Sequence, residues 1–178
     1  SYDAGIYAAL STLGTIIFFG AGPITSVMFP LVSQRQSKGQ SYNRIFLYSL
    51  LLTALVSAVI LLIYLIMPNL AITLLFGPAY LTGVDLLLWF GIFMSFFTLC
   101  SLVINFNLSL GQIKVVIFPF LAAVAQIILI WFFHESLLNV VQISVCVTAL
   151  LFITLLIYST YGKTIKRNTT TFSNSSSI

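Results

Sequence analysis

The sequence predicts an all-α integral membrane protein with five transmembrane helices, and three observations predict it. Hydrophobic residues make up 60% of the chain and charged residues 6%, whereas soluble domains carry roughly 25% charged residues. Five apolar blocks each approach or exceed the roughly 20 residues that a helix needs to cross a hydrocarbon core of about 30 Å. Runs such as "LLLTALVSAVILLIYLI" at 50–66 do not alternate apolar with polar residues, as the strands of a membrane barrel would.

The first block runs from Gly5 to Val32. Its core, "IIFFGAGPITSVMFPLV" at 16–32, holds Gly20, Gly22, Pro23 and Pro30. In water, Gly and Pro inside a helix cost about 1 and 3 kcal/mol relative to Ala. Membrane helices tolerate them where neighbouring helices, hydroxyl side chains or water satisfy the freed backbone groups, so the run reads as a hinge or kink. At about 100° per residue, Ser11, Thr15, Gly22, Ser26 and Ser33 fall within about 60° of one another, with Leu13, Ile17, Ile24 and Leu31 opposite. The first span therefore has one small, polar face.

The second block, Ile45 to Met67, is followed by "PNLAITLLFGPAYLTGVD". Leu70 to Phe76 is too short to span and precedes Gly77-Pro78, a turn signal. It reads as a short helix lying along the membrane interface, with Tyr80 at headgroup level. The third block, Leu86 to Leu108, carries a second polar stripe: Gly91, Thr98, Ser101, Asn105 and Ser109 lie within about 80° of one another. Val115 to Phe133 and Leu137 to Tyr161 are the fourth and fifth blocks, so residues 1–161 form the transmembrane unit. The remainder, 162–178, is basic, then rich in Ser, Thr and Asn, and reads as a disordered tail.

The charges give an orientation. Arg35, Lys38 and Arg44 fall in the first connection, Lys114 follows the third span, and Lys163, Lys166 and Arg167 follow the fifth. Asp3, Asp85, His134 and Glu135 fall at the opposite ends of the spans. The positive-inside rule then places the start of the chain outside and the tail in the cytoplasm. The sequons at Asn168 and Asn174 would lie on the cytoplasmic side, out of reach of glycosylation. The chain opens at Ser1 with a span almost at once and no signal peptide, and it is expected to be part of a longer protein.

No Asp, Glu, Lys or Arg falls at mid-span, where such residues are usually functional. The polar stripes serve either helix packing, through close backbone approach and hydroxyl bonds, or the wall of a water-filled cavity. Ser and Thr alone favour packing; Asn105 and Gln126 shift the balance towards a cavity, because an amide has more groups to satisfy. His134 beside Glu135 reads as a solvated loop pair without a second His for metal-ligand spacing. No catalytic residue, metal site or cofactor is expected. Cys100 and Cys146 lie in apolar runs and read as small packing residues, and no nucleic-acid motif is present.

Four stretches carry a family resemblance: "AGIYAALSTLG" at 4–14, "GPITSVMFPLVSQRQSKGQ" at 22–40, "LLFGPAYL" at 74–81 and "NFNLSLGQIK" at 105–114. Together they resemble the C-terminal half of a Wzx-like polysaccharide flippase of the multidrug/oligosaccharidyl-lipid/polysaccharide exporter superfamily. The resemblance implies two six-helix bundles around a central cavity, of which this chain would supply five helices of the second. It also implies movement of undecaprenyl-diphosphate-linked oligosaccharide from the cytoplasmic to the external leaflet of the cell membrane by alternating access. On it, Ser11, Thr15, Gly22, Pro23, Ser26, Thr98, Ser101 and Asn105 are candidate cavity-lining residues. Arg35, Arg44 and Lys114 are candidate diphosphate contacts at the cytoplasmic mouth, although positive-inside placement alone accounts for them. The expected partners are the lipid-linked oligosaccharide, membrane lipids and an N-terminal bundle of the same protein.

Three other readings stand beside this one: a flippase for a peptidoglycan lipid precursor, a cation-coupled drug antiporter, and a non-transporting membrane scaffold. The antiporter is disfavoured because no acidic residue falls within a span. The orientation is directly testable. A cysteine at Ser136 should react with a membrane-impermeant thiol reagent added to intact cells, and one at Ser41 should react only after permeabilisation. The reverse pattern would reject the assigned topology.

Overall fold

The computed structural model describes the backbone of residues 2–76, 84–132 and 136–175, and side chains within 11–74, 84, 86–132 and 136–160. The Gly77-Pro78 turn, Tyr80 and the His134–Glu135 pair lie outside the described residues. Six α-helices follow in order: α1 Tyr2–Ser37, α2 Asn43–Ile66, α3 Pro68–Phe76, α4 Val84–Ser109, α5 Ile117–Phe132 and α6 Leu137–Ser175, with a 3-10 turn at Ile113–Val116 before α5. No strand occurs among the described residues. Five of these segments are long and apolar enough to cross a membrane: Ser11–Ser37, Asn43–Ile66, Leu86–Ser109, Ile113–Phe132 and Leu137–Thr160. The shortest has 20 residues and the longest 27, or roughly 30 to 40 Å at 1.5 Å per residue.

Helix α4 is the axis of the bundle, with α1, α2 and α6 packed around it and α5 resting on α6. Two glycines set how closely its neighbours approach. A Cβ on Gly14 of α1 would stand 2.8 Å from Met94 Cγ, and one on Gly91 of α4 would stand 2.7 Å from Leu61 Cδ2 and 3.3 Å from Tyr64 Cδ2. Small residues at such crossings allow the backbone contact that drives helix association in lipid, where hydrophobic burial contributes little. Around these crossings Leu13, Ile17, Tyr64, Leu87 and Phe90 form one buried cluster, onto which α3 places Ala71 and Ile72. The short run at 70–76 is thus a helix, as expected, and it closes one end of the bundle while Leu70 and Leu74 stay exposed.

The opposite end, which carries the described Lys and Arg side chains, is fixed by turns and rings. Gly39 (φ 67°) and Gly111 (φ 72°) adopt left-handed conformations directly after α1 and α4. At each, the next residue donates to a carbonyl five positions back, Gln40 N–H to Arg35 O and Gln112 N–H to Asn107 O. Both glycines also donate to the carbonyl three residues back, which completes the two-bond helix stop that glycine favours. The two turns are joined, since Gln36 Nε2 donates to Leu110 O at 3.2 Å. Phe46 stacks on Phe106 with ring centroids 4.0 Å apart.

Helix α2 shows what solvent the bundle is built for. Its buried residues are Ser49, Thr53, Ser57 and Tyr64, while Leu47, Leu51, Leu55, Leu62 and Leu65 are all more than half exposed. Small hydroxyl residues inside and leucines outside invert the water-soluble arrangement and suit a helix whose outer face meets lipid.

Two helices run on without a break. Helix α1 passes without interruption through Pro23 and Pro30, as a single span with a hinge or kink would. Each proline leaves one carbonyl, of Phe19 and of Ser26, without its backbone donor, and the bonds on either side carry the helix across. Helix α6 continues to Ser175. A helix already nucleated over a membrane-length stretch gains one backbone bond for each residue it adds.

The crossing at Gly91 gives a graded prediction. Gly91→Ala should be absorbed by rotation of Leu61, with a thermal midpoint in detergent near that of the wild type. Gly91→Leu should cost about 1–3 kcal/mol through overpacking and lower the midpoint by several degrees. Equal midpoints for Gly91→Leu and the wild type would show that the helices do not depend on this close approach.

Candidate functional site

Helix α1 is oriented the other way from α2. Leu13, Ile17, Ala21, Met28 and Val32 are all 1% exposed or less, so the apolar face points into the bundle. The polar stripe lies at its margin: Ser11, Thr15 and Gly22 are half-buried, and Ser26 and Ser33 are exposed. Phe19 and Phe29 stand among them, exposed. The hydroxyls stay within their own helix, with Thr15 Oγ1 donating to Ser11 O and Ser26 Oγ to Gly22 O at 3.1 Å. Such bonds satisfy the hydroxyl proton while leaving the oxygen's remaining acceptor capacity free.

The stripe on α4 is divided. Gly91, Thr98 and Ser109 are buried, whereas Ser101 and Asn105 are half-buried. Thr98 Oγ1 donates to Met94 O at 2.6 Å and Asn105 Nδ2 to Ser101 O at 2.8 Å. Gly91 and Thr98 serve packing inside the bundle, while Ser101 and Asn105 reach its surface. Phe18 of α1 meets Phe97 of α4 with centroids 5.8 Å apart, so the two helices meet along this edge. Ser11, Thr15, Gly22 and Ser26 thus lie along one margin of α1 and Ser101 and Asn105 along the outer part of α4, on helices joined by the Phe18–Phe97 contact. Pro23 is set apart from them, exposed in a groove between α1 and α2.

Gln126 is half-buried and bonded across helices. Its Nε2 donates to Ser144 Oγ at 2.9 Å, and Ser144 Oγ donates to Val140 O at 2.9 Å. This pair ties α5 to α6, a helix–helix bond of the kind worth roughly 0.5–2 kcal/mol in a membrane. Cys100 and Cys146 are free thiols. Cys100 Sγ donates weakly to Thr148 O at 3.5 Å and so packs α4 on α6, as its apolar surroundings suggested.

Arg35, Lys38, Arg44 and Lys114 are all exposed at the end of the bundle that holds the turns at Gly39 and Gly111. Arg35 Nη1 donates to Ser41 O at 3.3 Å, which holds the guanidinium against the α1–α2 connection. No Asp or Glu is among the described side chains, and in the sequence none occurs between Asp3 and Asp85 or between Asp85 and Glu135.

The polar lines on α2 and α6 were missed in the sequence. Ser49, Thr53 and Ser57 are spaced four apart and buried, and so are Ser144 and Thr148 of α6. Their spacing is the same signal that revealed the stripe on α1. Thr53 Oγ1 and Ser57 Oγ have no hydrogen-bond partner among the described residues, unlike the back-bonded hydroxyls of α1 and α4.

Comparison with family models, curated proteins and solved structures gives no match to this chain.

Proposed function

We propose that this chain forms one wall of a membrane transporter, a flippase that carries a lipid-linked oligosaccharide, with an undecaprenyl-diphosphate anchor, across the cell membrane. The observation that carries the reading is the orientation of α1. A helix that met only lipid on its outer side would expose leucines, as α2 does. Helix α1 also exposes Ile16, Val27 and Leu31, but it carries beside them a polar margin in which Ser11, Thr15 and Gly22 are half-buried and Ser26 is exposed, which favours water or a polar molecule beside it. Phe19 and Phe29 among the hydroxyls would give this wall an amphipathic character suited to sugar rings, whose faces are apolar and whose edges are hydroxylated. Sequence resemblance supports the same substrate class and an opposing bundle of helices across the cavity.

In this reading the chain transports and does not catalyse. Ser101 and Asn105 extend the wall along α4. Arg35, Arg44 and Lys114 lie at the end of the bundle from which the diphosphate would arrive, where together they give that face a positive field without any one of them acting as a ligand in the cavity. The alternating-access step would be carried by α1, whose two prolines each remove a backbone bond and soften the helix.

Cysteine scanning tests the reading. With Cys100 and Cys146 replaced by alanine, cysteines at Ser11, Thr15, Ser26 and Asn105 should react with a water-soluble thiol reagent in membranes. Cysteines at Leu55 and Leu62 on the outer face of α2 should stay unmodified. Uniform protection at the first four positions would leave the stripe as a protein–protein contact and favour a scaffold. Reconstituted flipping assays with an oligosaccharide-linked and a peptidoglycan-precursor lipid diphosphate would separate the two transporter readings.

A further inference from the structure

The groove between α1 and α2 is distinct from the polar wall, because α2 packs on the far side of α1, where Gly20 faces Val56 and Ile60. It has an open volume of about 380 Å³ and is apolar along its length. Val27 and Leu31 form one side, Tyr48 and Leu52 the other, and buried Met28 and Ser49 the floor. Helical spacing continues both walls into a positive charge. Arg35 lies one turn beyond Leu31 on α1, and Arg44 lies one turn before Tyr48 on α2, each on the same side of its helix as the groove residues. Both arginines are exposed at the end where the groove meets the membrane surface. The bond from Arg35 to Ser41 O uses one of the five donors of its guanidinium, leaving the others for a ligand.

An apolar channel ending in two cations, with no acid at that end, complements an amphipathic anion whose alkyl chain runs along the helices and whose phosphate sits at the surface. We propose that this groove is a binding site for an anionic phospholipid of the adjacent leaflet, with an acyl chain between α1 and α2 and the phosphate held by Arg35 and Arg44. A bilayer phospholipid is favoured over any transported lipid by abundance alone, because occupancy follows concentration relative to affinity. The site does not depend on the transport reading, and it would hold equally in a scaffold.

Native mass spectrometry of the full chain, titrated with phosphatidylglycerol or phosphatidylcholine, tests the proposal. The wild type should keep one phosphatidylglycerol under conditions that strip phosphatidylcholine. Each arginine near the surface contributes about fivefold to the attraction of an anionic headgroup, so R35A/R44A should bind phosphatidylglycerol roughly 20- to 30-fold more weakly. Val27→Trp, with both charges intact, should lower retention by filling the groove, whereas Lys114→Ala, at the same membrane face, should leave it unchanged. Equal retention of the two lipids by the wild type, or of phosphatidylglycerol by wild type and R35A/R44A, would overturn the site. So would an effect of Lys114→Ala as large as that of R35A/R44A, which would mean diffuse surface charge. Unaltered retention by Val27→Trp would remove the groove, and displacement by an equimolar polyprenyl phosphate would replace the proposed occupant with another.

Discussion

The arrangement of this bundle depends on how closely other helices can approach α4. In lipid, apolar side chains gain little by leaving their surroundings, so helices associate through contact between surfaces and through the few hydrogen bonds they can form. Gly14 and Gly91 supply the contact at one end of the bundle, where an added Cβ would meet Met94 or Leu61 below 3.0 Å. Tyr64 adds a bond from its hydroxyl to Leu13 O at 2.7 Å, which fixes α2 against α1 at the same level. At the other end, Phe46 on Phe106 and Gln36 on Leu110 repeat the arrangement with a ring and an amide. With both ends fixed, the faces that α1 and α2 present outwards are determined, and with them the polar wall and the groove.

The number, order and approximate limits of the spans were legible in the sequence, because a membrane allows only a long apolar run to cross and the runs are separated by charge or turn residues. The short helix after α2 was legible for the same reason, since its run cannot span. The side on which each stripe would lie was not. A period of 3.6 reveals that Ser11, Thr15, Gly22 and Ser26 share a face, but whether that face points in or out depends on which neighbour packs where. The same pattern, Ser49-Thr53-Ser57, points inwards on α2. Gln126 was read for its unsatisfied amide, and its partner Ser144 lies on another helix, beyond the reach of local spacing.

The contrast between α1 and α2 separates two uses of the same residue types. On α2, small hydroxyl side chains fill an interior where a leucine would not fit, and the polarity is incidental to size. On α1, an interior of Leu13, Ile17 and Met28 already fills the space, so the hydroxyls outside are not needed for packing within this bundle. The bonds from Thr15 and Ser26 to their own backbone make that face tolerant. It can meet water, a sugar or another helix without leaving a donor stranded, whereas the amide of Asn105 on α4 keeps its carbonyl available to whatever lies opposite.

The buried line on α2 has a consequence for biogenesis. When α1 and α2 first enter the bilayer as a hairpin, α4 has not yet been synthesised, and the side of α2 that carries Thr53 and Ser57 has no protein to cover all of it. Hydroxyls at that depth face hydrocarbon or each other, so the hairpin is a sticky intermediate, prone to pair with any polar helix nearby. The roughly 40 residues between Thr53 and the middle of α4 set the delay, a few seconds at about 5–20 residues per second. Insertion machinery that shelters the hairpin for that interval would keep those hydroxyls from pairing before α4 arrives.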